Sequence, residues 1–192
     1  MDALARMLSE DEHARAGRFH RQRDRDRSVA ARGLLRVLLG DALGRPPSSL
    51  RFRYNPYGKP ALATDGGGAR LGFNLSHSDG AALFALAPAR EVGVDIERVR
   101  LDIAAESLAA RFLPAPEAAA LRSLPPALRP AAFTQAWVRR EAYAKALGTG
   151  LSSPPPSPAD TRWTCLDLEA GPDHRAALVV SAKQEKESRA AQ

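Results

Sequence analysis

Asp95 and Glu97 stand two residues apart in the run GVDIE, flanked by valine and isoleucine. In a strand, successive side chains point to opposite faces, so both carboxylates share one face while Val94 and Ile96 share the other. Like charges on one face repel, and either water or a cation must relieve them. A solvated acidic face of an edge strand is one reading. The other is a hard divalent cation such as Mg²⁺, which binds a few carboxylates and completes its shell with water and phosphate oxygens. Farther along, AWVRREAYAKAL sets Glu141 and Lys145 on one helix face, one turn apart. Alone, such a pair is ordinary surface support. Beside two further acids it offers a third metal ligand and a cation, a combination suited to a phosphate site. Ser76 and His77, in FNLSHS, add polar groups at a strand end, with a purely structural histidine as the alternative. The arginines of RFHRQRDRDRS can clamp phosphate or, with Asp24 and Asp26, form a salt-bridged helix face.

The elements that must position these groups follow from periodicity. Residues 3 to 44 read as helix, with Leu34, Leu35, Leu38 and Leu39 as a core-facing stripe and Gly40 and Gly44 near its stop. RFRYN is a short strand and PYGKP a turn. After a glycine-rich turn over residues 65–68, RLGFNLSHSDG, GAALFALAP and EVGVDIERV read as an antiparallel meander beside that helix. The second half gives helix from Ile103 to Phe112, helix in PAPEAAALRSL, and a proline-rich turn from Pro125 to Pro130. A strong helix, AAFTQAWVRREAYAKAL, then ends at GTG, where helix C-terminal glycines sit. SSPPPSPAD is a loop, TRWTCLDLE and HRAALVVSA a final strand pair, and KQEKESRAAQ a polar, fraying tail. The fold class is therefore α+β, helix on antiparallel sheet, in both halves.

Composition narrows the function classes. At 192 residues the chain can bury a real core as one domain or two small lobes. The single cysteine, Cys165, cannot pair within the chain, which suits a reducing cytoplasm and argues against a thiolate zinc cluster; it reads as a small buried hydrophobe. No stretch approaches a membrane span and the first residues lack a secretory layout, so a soluble cytoplasmic protein is expected. The net charge of +6, carried mostly by arginine, favours partners with phosphate or acidic surfaces.

YGKP, FNLSHS, GVDIE and WVRREAYAKALGTGL, in this order, resemble the 4′-phosphopantetheinyl transferases that serve peptide and polyketide synthases. The family pattern is (I/V)G(I/V)D(I/V)E followed by W-x-x-K-E-(A/S)-x-x-K and a glycine-rich stop, and the resemblance runs from about Arg15 to about Ala182. It implies two similar α+β lobes in a pseudo-two-fold arrangement, residues 1–91 and 92–192, with coenzyme A and Mg²⁺ between them. Asp95, Glu97 and Glu141 fall on the family's metal-binding acids and Lys145 on its pyrophosphate-binding lysine. Ser76 and His77 fall on contacts to coenzyme A phosphates, Lys59 and Pro60 on the adenine-side turn, and Arg15 and Arg27 on basic positions around the 3′-phosphate. Glu117 matches an acid that assists the base. Three departures stand out: Arg140 replaces the usual lysine before the metal-binding glutamate, Glu12 occupies an upstream basic position, and the opening strand has no counterpart, so the expectation is either a trimmed first lobe or a native start upstream of Met1.

The expected reaction is Mg²⁺-dependent transfer of phosphopantetheine from coenzyme A to a carrier-protein serine, by a small monomeric enzyme with no nucleic-acid or membrane partner. Glu141, directly or through water, or Glu117 is the base. Three acids and a lysine would also serve a Mg²⁺-dependent phosphodiesterase or nuclease. A non-catalytic nucleic-acid binder using the N-terminal arginines ranks third, because aromatic interleaving is lacking.

Overall fold

The computed structural model describes residues 1–63, 71–151 and 160–183. The predicted glycine-rich turn over residues 65–68, most of the loop SSPPPSPAD and nearly all of the polar tail lie outside the described residues.

The N-terminal helical stretch is three helices, α1 (Asp2–Ala5), α2 (Glu10–Gly17) and α3 (Gln22–Leu43). Ser9 breaks the first from the second: its backbone N–H donates to Glu12 Oε2 at 3.0 Å, closing a capping box. Helix α3 ends with Gly44 in the left-handed conformation (φ 62°), free of the Cβ penalty that other residues meet there. The leucine stripe is half as wide as expected. Leu35 and Leu39 are fully buried, whereas Leu34 and Leu38 are 42 and 40% exposed, because the core-facing row follows four-residue steps through Ala31, Leu35 and Leu39.

Strands β1 (Phe52–Tyr54) and β2 (Pro60–Leu62) form one antiparallel pair. Pro60, expected within the PYGKP turn, opens β2, where a missing N–H is tolerated. Strands β3 (Leu71–Ser78) and β4 (Ala81–Pro88) form a hairpin whose two loop residues, Asp79 and Gly80, both have positive φ, as a twist-matched hairpin turn requires. Leu35, Leu39, Leu50 and Phe73 are the buried core of this half, with Phe52 and Phe73 edge to face at 5.6 Å.

Strand β5 (Val92–Arg98) corrects the expected meander: its backbone pairs with β7 (His174–Ser181), not with β4, giving a three-stranded order β5-β7-β6 with β6 (Trp163–Leu168) at the edge. Between lie α4 (Ala105–Phe112), α5 (Ala115–Ser123) and α6 (Arg129–Leu147). Pro130, expected in a turn, sits in the first turn of α6, where proline's missing N–H costs nothing. Helix α6 packs on β5 and β7 through Val138, Ala142, Tyr143 and Ala146 against Ala177 and Val179. Cys165, expected buried, is exposed on edge strand β6, whose middle residues face outward.

Candidate active site

Strand β5 alternates as expected, yet its acidic face is not solvated. Asp95 is 1% exposed and Glu97 half-buried, because β3 lies along one side of β5 and α6 crosses over it. Gly93 makes the crossing possible: a Cβ there would lie 2.0 Å from the Ala142 carbonyl oxygen and 2.3 Å from the Ala146 N–H nitrogen. Gly93, Asp95 and Glu97 share one face, so the surface that admits the helix backbone also carries both acids.

Glu141 and Lys145 flank that crossing on α6. Lys145 does not pair with Glu141 as a surface support. Its Nζ donates to Asp95 Oδ1 at 2.6 Å and to Ser76 Oγ at 3.1 Å. Ser76 Oγ donates its proton to the same Asp95 oxygen at 2.7 Å. The second oxygen, Asp95 Oδ2, is buried and has no hydrogen-bond partner. Burial raises the Glu97 carboxyl above its ordinary pKa; the Ser78 hydrogen bond opposes this and the Asp95 charge adds to it. Burial likewise raises Glu141, reinforced by the charge of Asp95 and partly offset by Lys145. Three acids thus press on one another around one ammonium group.

As they stand, no three His, Cys, Asp or Glu side chains among the described residues converge closely enough to hold a metal ion. The chemistry of the donor set nevertheless suits a hard cation. An orphaned, buried carboxylate oxygen and two neighbouring acids held above their ordinary pKa are the excess negative charge that Mg²⁺ would satisfy.

The turn between β1 and β2 closes the site from the other half. Asn55 Oδ1 accepts the N–H groups of Tyr57 and Lys59, at 3.0 and 2.9 Å, and Asn55 Nδ2 donates to the Gly148 carbonyl at 2.7 Å. Lys59 Nζ donates to the Ala146 carbonyl at 2.6 Å and to Glu91 Oε2 at 2.9 Å. This turn therefore grips the C-terminal end of α6, and the two lysine contacts add a cation where the helix dipole is negative. A cavity of about 260 Å³ lies between them, walled by Lys59, Pro60, Asn74, Glu141 and Lys145.

The remaining predicted residues are spread around this centre. His77 is exposed on β3. Arg15 is exposed and stacks over the Tyr54 ring at 3.6 Å. Arg27 faces Asp79 Oδ1 at 3.7 Å. Glu117, in the first turn of α5, lines a separate, larger cavity of about 650 Å³ with Arg139, Arg140, Tyr143, Trp163 and Cys165. Arg140 Nη2 donates to the Leu151 carbonyl at 3.1 Å. Glu12, the acid at an expected basic position, is structural. It is 3% exposed and meets Arg36 Nε at 2.7 Å and Arg32 Nε at 3.3 Å.

Sequence reasoning missed Gly93, Asn55, Asn74 and Ser78. A signal for the last two existed: in FNLSHS a polar residue recurs every second position, which marks one face of a strand as hydrogen-bonding rather than core.

The chain matches two family models. Residues 91–187 match the 4′-phosphopantetheinyl transferase superfamily, and residues 1–89 match an N-terminal 4′-phosphopantetheinyl transferase model. It is 39% identical over 190 residues to the 4′-phosphopantetheinyl transferase HetI of Nostoc sp., covering 93% of this chain and 80% of that one. A putative 4′-phosphopantetheinyl transferase of Synechocystis sp. is 37% identical over 146 residues, covering 76% of this chain and 59% of its own. The 4′-phosphopantetheinyl transferase gsp of Aneurinibacillus migulanus is 32% identical over 152 residues, covering 79% and 60%. The chain thus spans about three-fifths of the length of these last two relatives.

Proposed function

The chain belongs to the 4′-phosphopantetheinyl transferase superfamily, and we propose that it moves the phosphopantetheine group of coenzyme A onto a serine of an acyl or peptidyl carrier protein. The observation that carries this reading is the Asp95–Lys145 contact, with Glu97 and Glu141 electrostatically tied to it, beside a cavity walled by both halves of the chain. A pyrophosphate bound there meets an ammonium group and three acids able to share a divalent cation with it.

Asp95, Glu97 and Glu141 would hold Mg²⁺, which would give the buried, unpartnered Asp95 Oδ2 a partner. Bound there, Mg²⁺ would neutralise pyrophosphate charge that otherwise repels an incoming oxygen. The chain's own groups do the rest. Lys145 releases Asp95 and turns to the pyrophosphate, where it offsets charge gathering on the leaving phosphate. Glu141, directly or through water, or else Glu117 from the neighbouring cavity, takes the serine proton. The serine oxygen bonds to the phosphorus that bears pantetheine, the bond from that phosphorus to the bridging oxygen breaks, and adenosine 3′,5′-bisphosphate leaves with the electron pair. Lys59 and Pro60 border the adenine side, His77 and Ser76 face the phosphates, and Arg15 and Arg27 serve the 3′-phosphate. The working form, on this reading, is a cytoplasmic monomer of two lobes divided between residues 91 and 92; no helix among the described residues is long and apolar enough to cross a membrane. The net charge of +6 suits both a polyanionic cosubstrate and an acidic carrier surface.

Incubation with coenzyme A, Mg²⁺ and an apo carrier protein, followed by intact-mass measurement of the carrier, tests this. A carrier heavier by one phosphopantetheine group, dependent on Mg²⁺, is the expected result. Unchanged mass across several carriers, with hydrolysis of a phosphodiester instead, would replace the transferase with a phosphodiesterase.

A further inference from the structure

Strands β3 and β5 lie side by side, yet no backbone ladder joins them: β3 pairs with β4, and β5 with β7. Alternate side chains of β3 bridge the gap instead. Asn74 Oδ1 accepts the Val94 N–H at 3.0 Å, Ser76 Oγ accepts that of Ile96 at 3.4 Å, and Ser78 Oγ accepts that of Arg98 at 3.2 Å. Each serine also has one proton to give, and the two give it in the same way. Ser76 donates to Asp95 Oδ1 at 2.7 Å, and Ser78 donates to Glu97 Oε2 at 2.8 Å. Each hydroxyl therefore takes its position from one backbone N–H of β5 and holds the carboxylate of the residue just before it.

Ser76 already belongs to the site described above. Ser78 does not, and its bond has a different consequence. Glu97 is a half-buried side chain with several freely rotating bonds, at the open end of β5. A hydroxyl anchored by the backbone removes that freedom before any ligand arrives. Removing the donor leaves the carboxylate free to sample its other rotamers.

We infer that Ser78 is a positioning residue for Glu97: pinned by the Arg98 N–H, its hydroxyl holds the Glu97 carboxylate toward Asp95 and so sets the affinity of the acid cluster for a divalent cation. The inference rests on the proposed role of Glu97 as a metal ligand. Ser78 touches neither the metal nor the substrate on this account; it acts through Glu97.

Two substitutions of equal size separate the hydroxyl from the packing: Ser78→Thr keeps the donor and Ser78→Val removes it. The measurement is Mn²⁺ binding to the protein saturated with coenzyme A, read from the electron paramagnetic resonance signal of free Mn²⁺, with thermal unfolding recorded alongside. Ser78→Val is expected to weaken Mn²⁺ binding by roughly tenfold or more, as losing a partner that orients a ligand does, while Ser78→Thr stays close to the parent. Equal Mn²⁺ affinity in the two variants, or an equal loss in both, overturns the positioning role. Glu97→Gln distinguishes the two levels of the argument. If Glu97→Gln weakens Mn²⁺ binding and Ser78→Val does not, only the role of Ser78 falls. If Glu97→Gln leaves binding unchanged, Glu97 is not a ligand, and the inference falls with that assignment.

Discussion

The α-carbon of Gly93 lies against the carbonyl oxygen of Ala142, so close that a Cβ would sit 2.0 Å from that oxygen. Strand β5 and helix α6 therefore meet backbone to backbone, and the residues on either side of the contact are the ones that matter: Asp95 on the strand, Glu141 and Lys145 on the helix. The three atoms nearest the absent Cβ all belong to the backbone of Ala142 and Ala146, which cannot swing aside as a flexible side chain would.

Gly93→Ala is accordingly expected to push α6 off β5. The cost should reach about 3 kcal/mol, the upper end of ordinary overpacking, measured by urea unfolding. Transfer to the carrier should fall at least tenfold, since a shift of about 1 Å at the reacting groups costs more than that. Unfolding and activity both equal to the parent would mean that the close approach is dispensable.

Glu141→Gln should abolish transfer and yet stabilise the metal-free protein at neutral pH. Burial and the Asp95 charge raise the folded-state pKa of Glu141 above its unfolded value. The folded state then binds protons more tightly, so the ionised carboxylate costs stability above the folded pKa, and that cost disappears as pH falls through the folded pKa to below the unfolded one. The glutamine variant should therefore melt a few degrees higher than the parent near pH 7, with the gap closing toward pH 4. A variant less stable than the parent at pH 7 would contradict the sign of the shift.

What was legible in the chain, and what was not, divides by the range of the forces involved. GVDIE as a strand, AAFTQAWVRREAYAKAL as a helix and the glycine stop at Gly148 are set by local periodicity and backbone conformation, and each is where the pattern puts it. The partner of β5 is a long-range choice that local alternation does not fix: it pairs with β7 rather than with β4, its neighbour in the chain. The width of the leucine stripe failed for a related reason, since only the packing of α3 on Phe73 and Leu50 decides that Leu34 and Leu38 face outward. The acids and Lys145 were identified by type and spacing, but the sequence could not say that Lys145 pairs with Asp95 rather than Glu141, a contact spanning 50 positions.

Glu12 is a case where a basic residue cannot simply be restored. It is buried between Arg36 and Arg32, and Arg36 is 1% exposed, with further bonds to the carbonyls of Pro47 and Leu50. Glu12→Lys should not strengthen coenzyme A binding. It should cost about 3–5 kcal/mol, because it buries a third cation against two guanidinium groups. Chemical denaturation reads this directly. A stable Glu12→Lys protein with tighter coenzyme A binding would show that this position belongs to the ligand site after all.

Asn55 controls the site from the opposite half without carrying charge. Its side chain makes three hydrogen bonds, two within the turn and one to the Gly148 carbonyl, so Asn55→Ala frees both the turn and the end of α6. About 1–3 kcal/mol of stability should be lost, the range for leaving partly buried groups unpaired. The kinetic effect should be selective. The turn supplies Lys59 and Pro60 to the cavity that also holds Glu141 and Lys145, so the KM for coenzyme A should rise several-fold while the KM for the carrier protein stays nearly constant. Gly148 tests the same contact from its other end. It has φ +69° and a Cβ there would lie 2.7 Å from Asn55 Nδ2, so Gly148→Ala should reproduce the coenzyme A defect with its own additional backbone strain. In the double variant Asn55→Ala, Gly148→Ala the losses should be clearly less than additive, because the first substitution removes the atom that the second strikes. Fully additive losses would mean that the turn and the helix end are not coupled through this bond.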